Sequence, residues 1–197
     1  MTKLNSYLSL IRFYNPIGFW LLLWPGLWGL FLSDNFNIEN FTIVVLGSFL
    51  TRSLGCAIND FLDRDFDKSV ERTKNRPIAS NELSLSEAGI FTILLASVCI
   101  ILLMQTNPYT IKLVSYVAIP MIIFYPLMKR FLAMPQLFLG ATFGLSLPIS
   151  YSIAETALSL EVIFLYIGEL IILITMSFIL AFLSAVTLKN VLVSLII

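Results

Sequence analysis

Residues 52–77 read RSLGCAINDFLDRDFDKSVERTKNRP, from Arg52 to Pro77. Its part from Arg52 to Asp67 holds four of the chain's twelve carboxylates, Asp60, Asp63, Asp65 and Asp67, at the end of an apolar run long enough to cross a bilayer. Asn59, Asp63 and Asp67 recur every four residues. On a helix that spacing stacks them along one face, drifting about 40° per step, while Asp60 and Asp65 point elsewhere. Three oxygen-bearing side chains in one column repel one another unless positive charge sits between them. Mg²⁺ suits such a set, because it takes carboxylate and amide oxygens and keeps positions for water or phosphate. A solvated helix end with scattered acids accounts for the same spacing, and spacing alone leaves both open.

Composition decides the environment of that stretch. The 197 residues are 58% hydrophobic, 13% aromatic and only 12% charged, with a mean hydropathy of +0.93. A soluble domain carries roughly twice that charged fraction. Lys and Arg number twelve against twelve Asp and Glu, so no basic excess points to nucleic acid. The chain has no histidine, which removes the usual general base and the commonest zinc ligand. Cys56 and Cys99 both lie in apolar runs, which indicates neither a disulfide framework nor a thiolate site. The composition is that of an integral membrane protein.

The apolar runs predict an all-α polytopic transmembrane bundle with about six spans, near 16–33, 41–62, 88–105, 109–128, 134–153 and 158–188. Pro25-Gly26 marks a kink in the first span, and Pro120 and Pro126 interrupt the fourth. Gly140 and Gly144 suit close helix packing in the fifth. The sixth run, broken by Glu161 and Glu169, exceeds the roughly 20 residues a crossing needs. Lys3, Arg12, Arg64, Lys68, Arg72, Lys74, Arg76, Lys129, Arg130 and Lys189 all fall on one side of these spans. Lys112 lies opposite and Arg52 lies inside the second span. By the positive-inside rule the basic side, with the N-terminus and the Asp-rich stretch, is cytoplasmic. Acids, a metal and the Lys129-Arg130 pair can therefore converge on one polyanion.

A diphosphate approaches such acids only through a bridging cation. Its leaving oxygen needs further positive charge, which Arg64, Lys129 and Arg130 could supply. An isoprenoid tail finds an apolar groove in a bundle, and aromatic faces stabilise an allylic cation. Phe61, Phe66, Tyr116, Phe124, Tyr125 and Phe143 are the aromatic candidates, each also explicable as packing.

The stretch 52–77 resembles the first aspartate-rich motif of the UbiA superfamily of membrane prenyltransferases, in particular its 4-hydroxybenzoate polyprenyltransferase branch. Two other stretches resemble that branch: Arg12 to Gly18 with Leu23 to Trp28, and Tyr125 to Arg130 with Pro135 to Gly140 and Phe143-Gly144. The likeness covers roughly residues 7–155, with 156–197 divergent. It implies one domain over 1–197, incomplete at its C-terminus, with about six of roughly nine helices. It also implies Mg²⁺-dependent joining of a polyprenyl diphosphate to an aromatic acid, early in ubiquinone synthesis, in a bacterial or mitochondrial inner membrane. Carried over by position, Asn59, Asp63 and Asp67 hold Mg²⁺, with Asp63, Asp67 and Arg130 catalytic. Arg64, Lys129 and Arg130 bind diphosphate or the acceptor carboxylate.

The departure is that no aspartate follows Asp67, where the family carries a second aspartate-rich motif. A truncated or out-of-frame chain beyond about residue 160, or a short form completed by another polypeptide, both remain open, and protein partners are unspecified. We expect ancestral prenyl transfer with weak activity of this chain alone. A non-catalytic lipid-binding or assembly protein of the same ancestry is the alternative. A transporter fits less well, because the acids gather at a helix end instead of the bilayer midplane.

Overall fold

A computed structural model describes residues 2–124, 135–155, 157–172, 174–175 and 179, and every regular element among them is helical. Helix α1 spans Lys3–Leu10, α2 Ile17–Phe31, α3 Ile38–Leu62 and the single turn α4 Arg64–Asp67. Helix α5 spans Leu85–Leu103 and α6 Pro108–Phe124. Pro135–Gly144 forms α7 and Ser146–Ala154 forms α8, and residues 160–172 form α9.

Local chemistry sets the helix starts. The Asn37 side chain accepts from the Asn40 N–H at 2.8 Å to open α3. Ser84 and Glu87 form a reciprocal capping box at the head of α5. Asn107 accepts from the Thr110 N–H at 2.9 Å to open α6, where Pro108 loses nothing because a first-turn N–H has no helical partner. Within α6 the turn Val114–Ala118 widens to a π-helix. It lies just ahead of Pro120, whose ring has no N–H and would crowd the carbonyl of Tyr116 in a regular helix.

Among the described residues two helices, α3 and α5, are long and apolar enough by themselves to cross a membrane. The α5 face bearing Ile90, Ile93, Leu94, Val98 and Ile101 is exposed, which in water would be a large apolar surface and in lipid is an ordinary one. Helix α2 packs most extensively on α8 and also on α3, and α3 packs on α5. The expected fifth span is two helices that meet at Leu145, and the described part of the sixth begins at residue 160. Helix α2 runs through Pro25 as one helix, with Pro25 and Gly26 buried.

The two ends of the bundle are chemically distinct. At one end Asn35 donates to Glu155 at 2.9 Å, and Thr110 donates to the Ser152 carbonyl at 2.7 Å. At the other, Leu10, Ala57, Ile78, Leu83 and Ala88 form a buried cluster that joins α1, α3, α5 and the segment between α4 and α5. Leu10 and Leu83 are fully buried there, each contributing about 1.5–3 kcal/mol. Pro77 and Ile78 are buried with them, so the segment folds back beneath the end of α3 and brings Arg76 with it.

Close contact of α2 with α8 depends on glycine. A Cβ on Gly29 would stand 2.1 Å from the backbone carbonyl oxygen of Leu147, an atom that cannot swing aside. A Cβ on Gly55 would meet nothing within 4 Å. Gly29→Val is therefore expected to destabilise the bundle by about 2 kcal/mol or more, read as a lowered melting temperature in detergent. Gly55→Ala should leave the melting temperature unchanged.

Candidate functional site

Asn59 and Asp60 sit in the last turn of α3, which stops at Leu62. Asp63 takes φ −93° and ψ 3° between α3 and α4, and its N–H donates to the Asn59 carbonyl at 2.9 Å. The Asp67 N–H in turn donates to the Asp63 carbonyl at 2.8 Å. Asn59, Asp63 and Asp67 thus stay one hydrogen-bonded turn apart, but the helix is interrupted at Asp63 instead of running as one straight column. Asn59 and Asp63 are half-buried, and Asp67 is buried.

Two arginines bridge the acids beside this ladder. Arg76 Nη1 donates to Asp67 Oδ2 at 2.8 Å and lies 3.2 Å from Asp60 Oδ1. Arg12 Nη2 donates to the same Asp60 Oδ1 at 2.6 Å. Asp60 is 1% exposed, and its Oδ2 is buried without a hydrogen-bond partner. A buried carboxylate is tolerated only when paired, and here two guanidinium groups converge on one oxygen.

Arg12 reaches Asp60 through an unusual backbone. Its φ is 59°, in the left-handed region where glycine is usual. The Phe13 N–H donates to the Leu8 carbonyl at 2.9 Å and the Arg12 N–H to the Ser9 carbonyl at 3.0 Å, the pattern of a Schellman cap on α1. Arg12 Nη1 also donates to the Ser9 carbonyl at 3.0 Å, so the side chain folds back over the helix end that its own backbone closes.

Among the described residues no three acidic or thiol side chains are gathered as a metal cluster. The candidate set holds two carboxylates and one amide, all hard oxygen donors, and Asp67 already carries a positive group, the Arg76 guanidinium. That chemistry fits Mg²⁺ completed by phosphate or water oxygens. Arg64 lies 6.0 Å from the Phe61 ring centroid and 3.6 Å from Asp65. Tyr125, Lys129 and Arg130 lie outside the described residues. Of the other aromatic candidates, Tyr116 and Phe124 are exposed at 79% and 50%.

Phe143 has a partner that sequence reasoning passed over. Arg52, two turns inside α3 from Asn59, places its guanidinium 5.8 Å from the Phe143 ring centroid. Gly18 makes room for it, since a Cβ there would fall 2.1 Å from Arg52 Nε. Arg12, Phe19, Trp20, Phe49, Arg52 and Ser53 help line a largely apolar cavity of about 280 Å³. The signal was available as an arginine inside an apolar run, which marks a functional position by default. Arg12 and Arg76 gave no such signal, because basic residues at membrane helix ends are ordinary.

Residues 22–192 match the model of the UbiA prenyltransferase family. The chain belongs to that family. It is 42% identical over 170 residues to the 4-hydroxybenzoate octaprenyltransferase of Polynucleobacter asymbioticus, covering 85% of this chain and 59% of that protein. The Pasteurella multocida protein of the same name is 42% identical over 170 residues, with 85% and 58% covered. The chain thus spans under two thirds of the length of these UbiA relatives. In fold it is similar to a digeranylgeranylglyceryl phosphate synthase (23% identity, TM-score 0.72, covering 88% of this chain and 60% of that one). It is also similar to a UbiA homologue from Archaeoglobus fulgidus solved with DMAPP and Mg²⁺ (19% identity, TM-score 0.68, 84% and 59% covered). The UbiA fold is membrane-embedded, in agreement with the all-helical bundle and its exposed apolar faces.

Two substitutions at Arg12 separate its backbone from its charge. Arg12→Ala and Arg12→Gly both remove the ion pair to Asp60, but glycine accepts the left-handed conformation that alanine resists. We expect the glycine variant to be the more stable of the two by about 1 kcal/mol, measured as denaturant or thermal unfolding in detergent.

Proposed function

We propose that the chain binds a polyprenyl diphosphate at the basic end of the bundle and passes the prenyl group to the ring of 4-hydroxybenzoate. The observation that carries this is the ladder of Asn59, Asp63 and Asp67, held one turn apart at a membrane helix end with a cation already on Asp67. Asn59, Asp63 and Asp67 hold Mg²⁺, which when bound offsets diphosphate charge and eases departure of the leaving group. Arg64, Lys129 and Arg130 contact the diphosphate, with Arg130 meeting charge on the leaving oxygen.

The acceptor takes the apolar cavity beside Arg52. A guanidinium recognises a carboxylate with paired donors, and Phe19, Phe49 and Trp20 offer apolar and aromatic walls to the ring. Phe143, under the Arg52 guanidinium, fixes that group's direction. The donor's carbon–oxygen bond breaks with its electron pair leaving on the diphosphate. The ring carbon ortho to the hydroxyl forms the new carbon–carbon bond, then sheds its proton to restore aromaticity.

Turnover by these residues alone is weak, because one cluster with two carboxylates offsets about one Mg²⁺ and leaves the remaining charge to arginine and lysine. The chain lies in a bacterial or mitochondrial inner membrane. Its N-terminus and Asp-rich stretch face the cytoplasm or matrix, where its basic residues gather.

The purified full chain, given labelled geranyl diphosphate and 4-hydroxybenzoate, tests this. We expect Mg²⁺-dependent retention of the diphosphate that falls about tenfold or more in Asp63→Ala and Asp67→Ala. Asp65→Ala, at a side chain 76% exposed, should retain it. Retention that ignores Mg²⁺, or survives both ladder substitutions, contradicts the proposal. In the same assay Gly18→Ala displaces the Arg52 guanidinium and should weaken binding of 4-hydroxybenzoate while leaving that of the diphosphate unchanged.

A further inference from the structure

The Asp-rich stretch contains a buried acid that the ladder does not use. Asp60 faces α1 and the segment after α4, and one of its two oxygens carries all of its contacts. Arg12 and Arg76 both meet Oδ1, while Oδ2 is enclosed and has no partner. An ionised oxygen left in that state inside a protein is costly. Arg76 Nη1 divides itself between two acids, 2.8 Å from Asp67 and 3.2 Å from Asp60.

A divalent cation on Asp67 would repel the guanidinium that now occupies it. Arg76 then needs another acceptor within reach of a side-chain rotation, because its backbone is fixed by the buried Pro77 and Ile78 next to it. Its side chain is 27% exposed and so has room to turn. Arg12 meets Asp60 through Nη2 on Oδ1 and places Nη1 on the Ser9 carbonyl, an arrangement that leaves Oδ2 unpaired. Arg76, already 3.2 Å from Oδ1 of the same carboxylate, can take that open oxygen by a short side-chain movement.

We propose that Asp60 is a positioning residue that takes Arg76 over fully when Asp67 turns to a divalent cation. The exchange rests on reading Asn59, Asp63 and Asp67 as the cation's ligands. Without a cation, Arg76 neutralises Asp67 and holds α4 in place. With a cation, both Asp60 oxygens are paired and Asp67 is released without leaving a guanidinium stranded.

The exchange predicts opposite effects from its two partners, which a purely structural ion pair would not produce. The probe is Mn²⁺ with inorganic diphosphate, titrated into the full chain in lipid nanodiscs and followed by the electron spin resonance of the free ion. Arg76→Gln removes the competitor for Asp67 and should tighten Mn²⁺ binding about threefold or more. Asp60→Asn removes the negative charge and one of the two acceptor oxygens, keeps Arg76 on Asp67 and should weaken binding by a similar factor. In the double variant the effect of Asp60→Asn should vanish, because there is no Arg76 left to place.

Weakening by both single variants, or an Asp60→Asn effect that persists without Arg76, overturns the exchange. Should Asp60→Asn fail to fold, Arg76→Gln decides by itself: tighter binding supports the exchange, and unchanged or weaker binding overturns it. Absence of Mn²⁺ binding in both the native chain and Arg76→Gln overturns the ligand ladder as well. Ordinary binding in the native chain without opposite variant effects overturns the exchange alone.

Discussion

The basic end of this bundle depends on one buried contact, the carboxylate of Asp60 beneath the guanidinium groups of Arg12 and Arg76. It ties three parts of the chain: the turn after α1, the last turn of α3 and the segment leading to α5. Asp60 is buried while both guanidinium groups keep some exposure, so the carboxylate depends on them more than they depend on it. The apolar cluster around Leu10, Ile78 and Leu83 brings these segments together. The charge contact then sets their register, because a carboxylate with two fixed donors has little freedom to slide.

That arrangement gives a small helical chain a polar floor at the edge of an apolar bundle. Asn59, Asp63 and Asp67 are presented on successive turns across the interruption at Asp63, with Arg76 supplying the positive charge their crowding requires. Farther into the bundle lies Arg52, seated on the Phe143 ring and against Gly18. A charged donor head and a small aromatic acid pose different problems of solvation. In the proposed function the first meets the cations at the basic end and the second meets Arg52 among aromatic rings.

Much of this was legible in the sequence, for physical reasons that can be named. Low charge and long apolar runs leave a helical membrane bundle as the economical fold, and the four-residue spacing of Asn59, Asp63 and Asp67 puts them on successive turns. Helix boundaries were less legible. The break at Leu145 and the π-turn before Pro120 are responses to packing and to a missing N–H, and local hydropathy records neither. Least legible were the partners of Asp60. Arg12 lies 48 residues before it in the chain, and nothing in the run Arg12-Phe13-Tyr14 announces a left-handed backbone where glycine is expected. Arg76 reads as one more basic residue in a cytoplasmic loop until Pro77 and Ile78 are seen to be buried. Long-range ion pairs depend on how the chain folds back, which a pattern of neighbours along the sequence cannot encode.

The most direct measurement is anomalous diffraction from the full chain crystallised in a lipid phase with Mn²⁺ and inorganic diphosphate. The account predicts a manganese peak within coordination distance of the Asp63 and Asp67 carboxylates and the Asn59 amide oxygen. A peak elsewhere, or no peak while Asp67 stays on Arg76 in the presence of both, would contradict it.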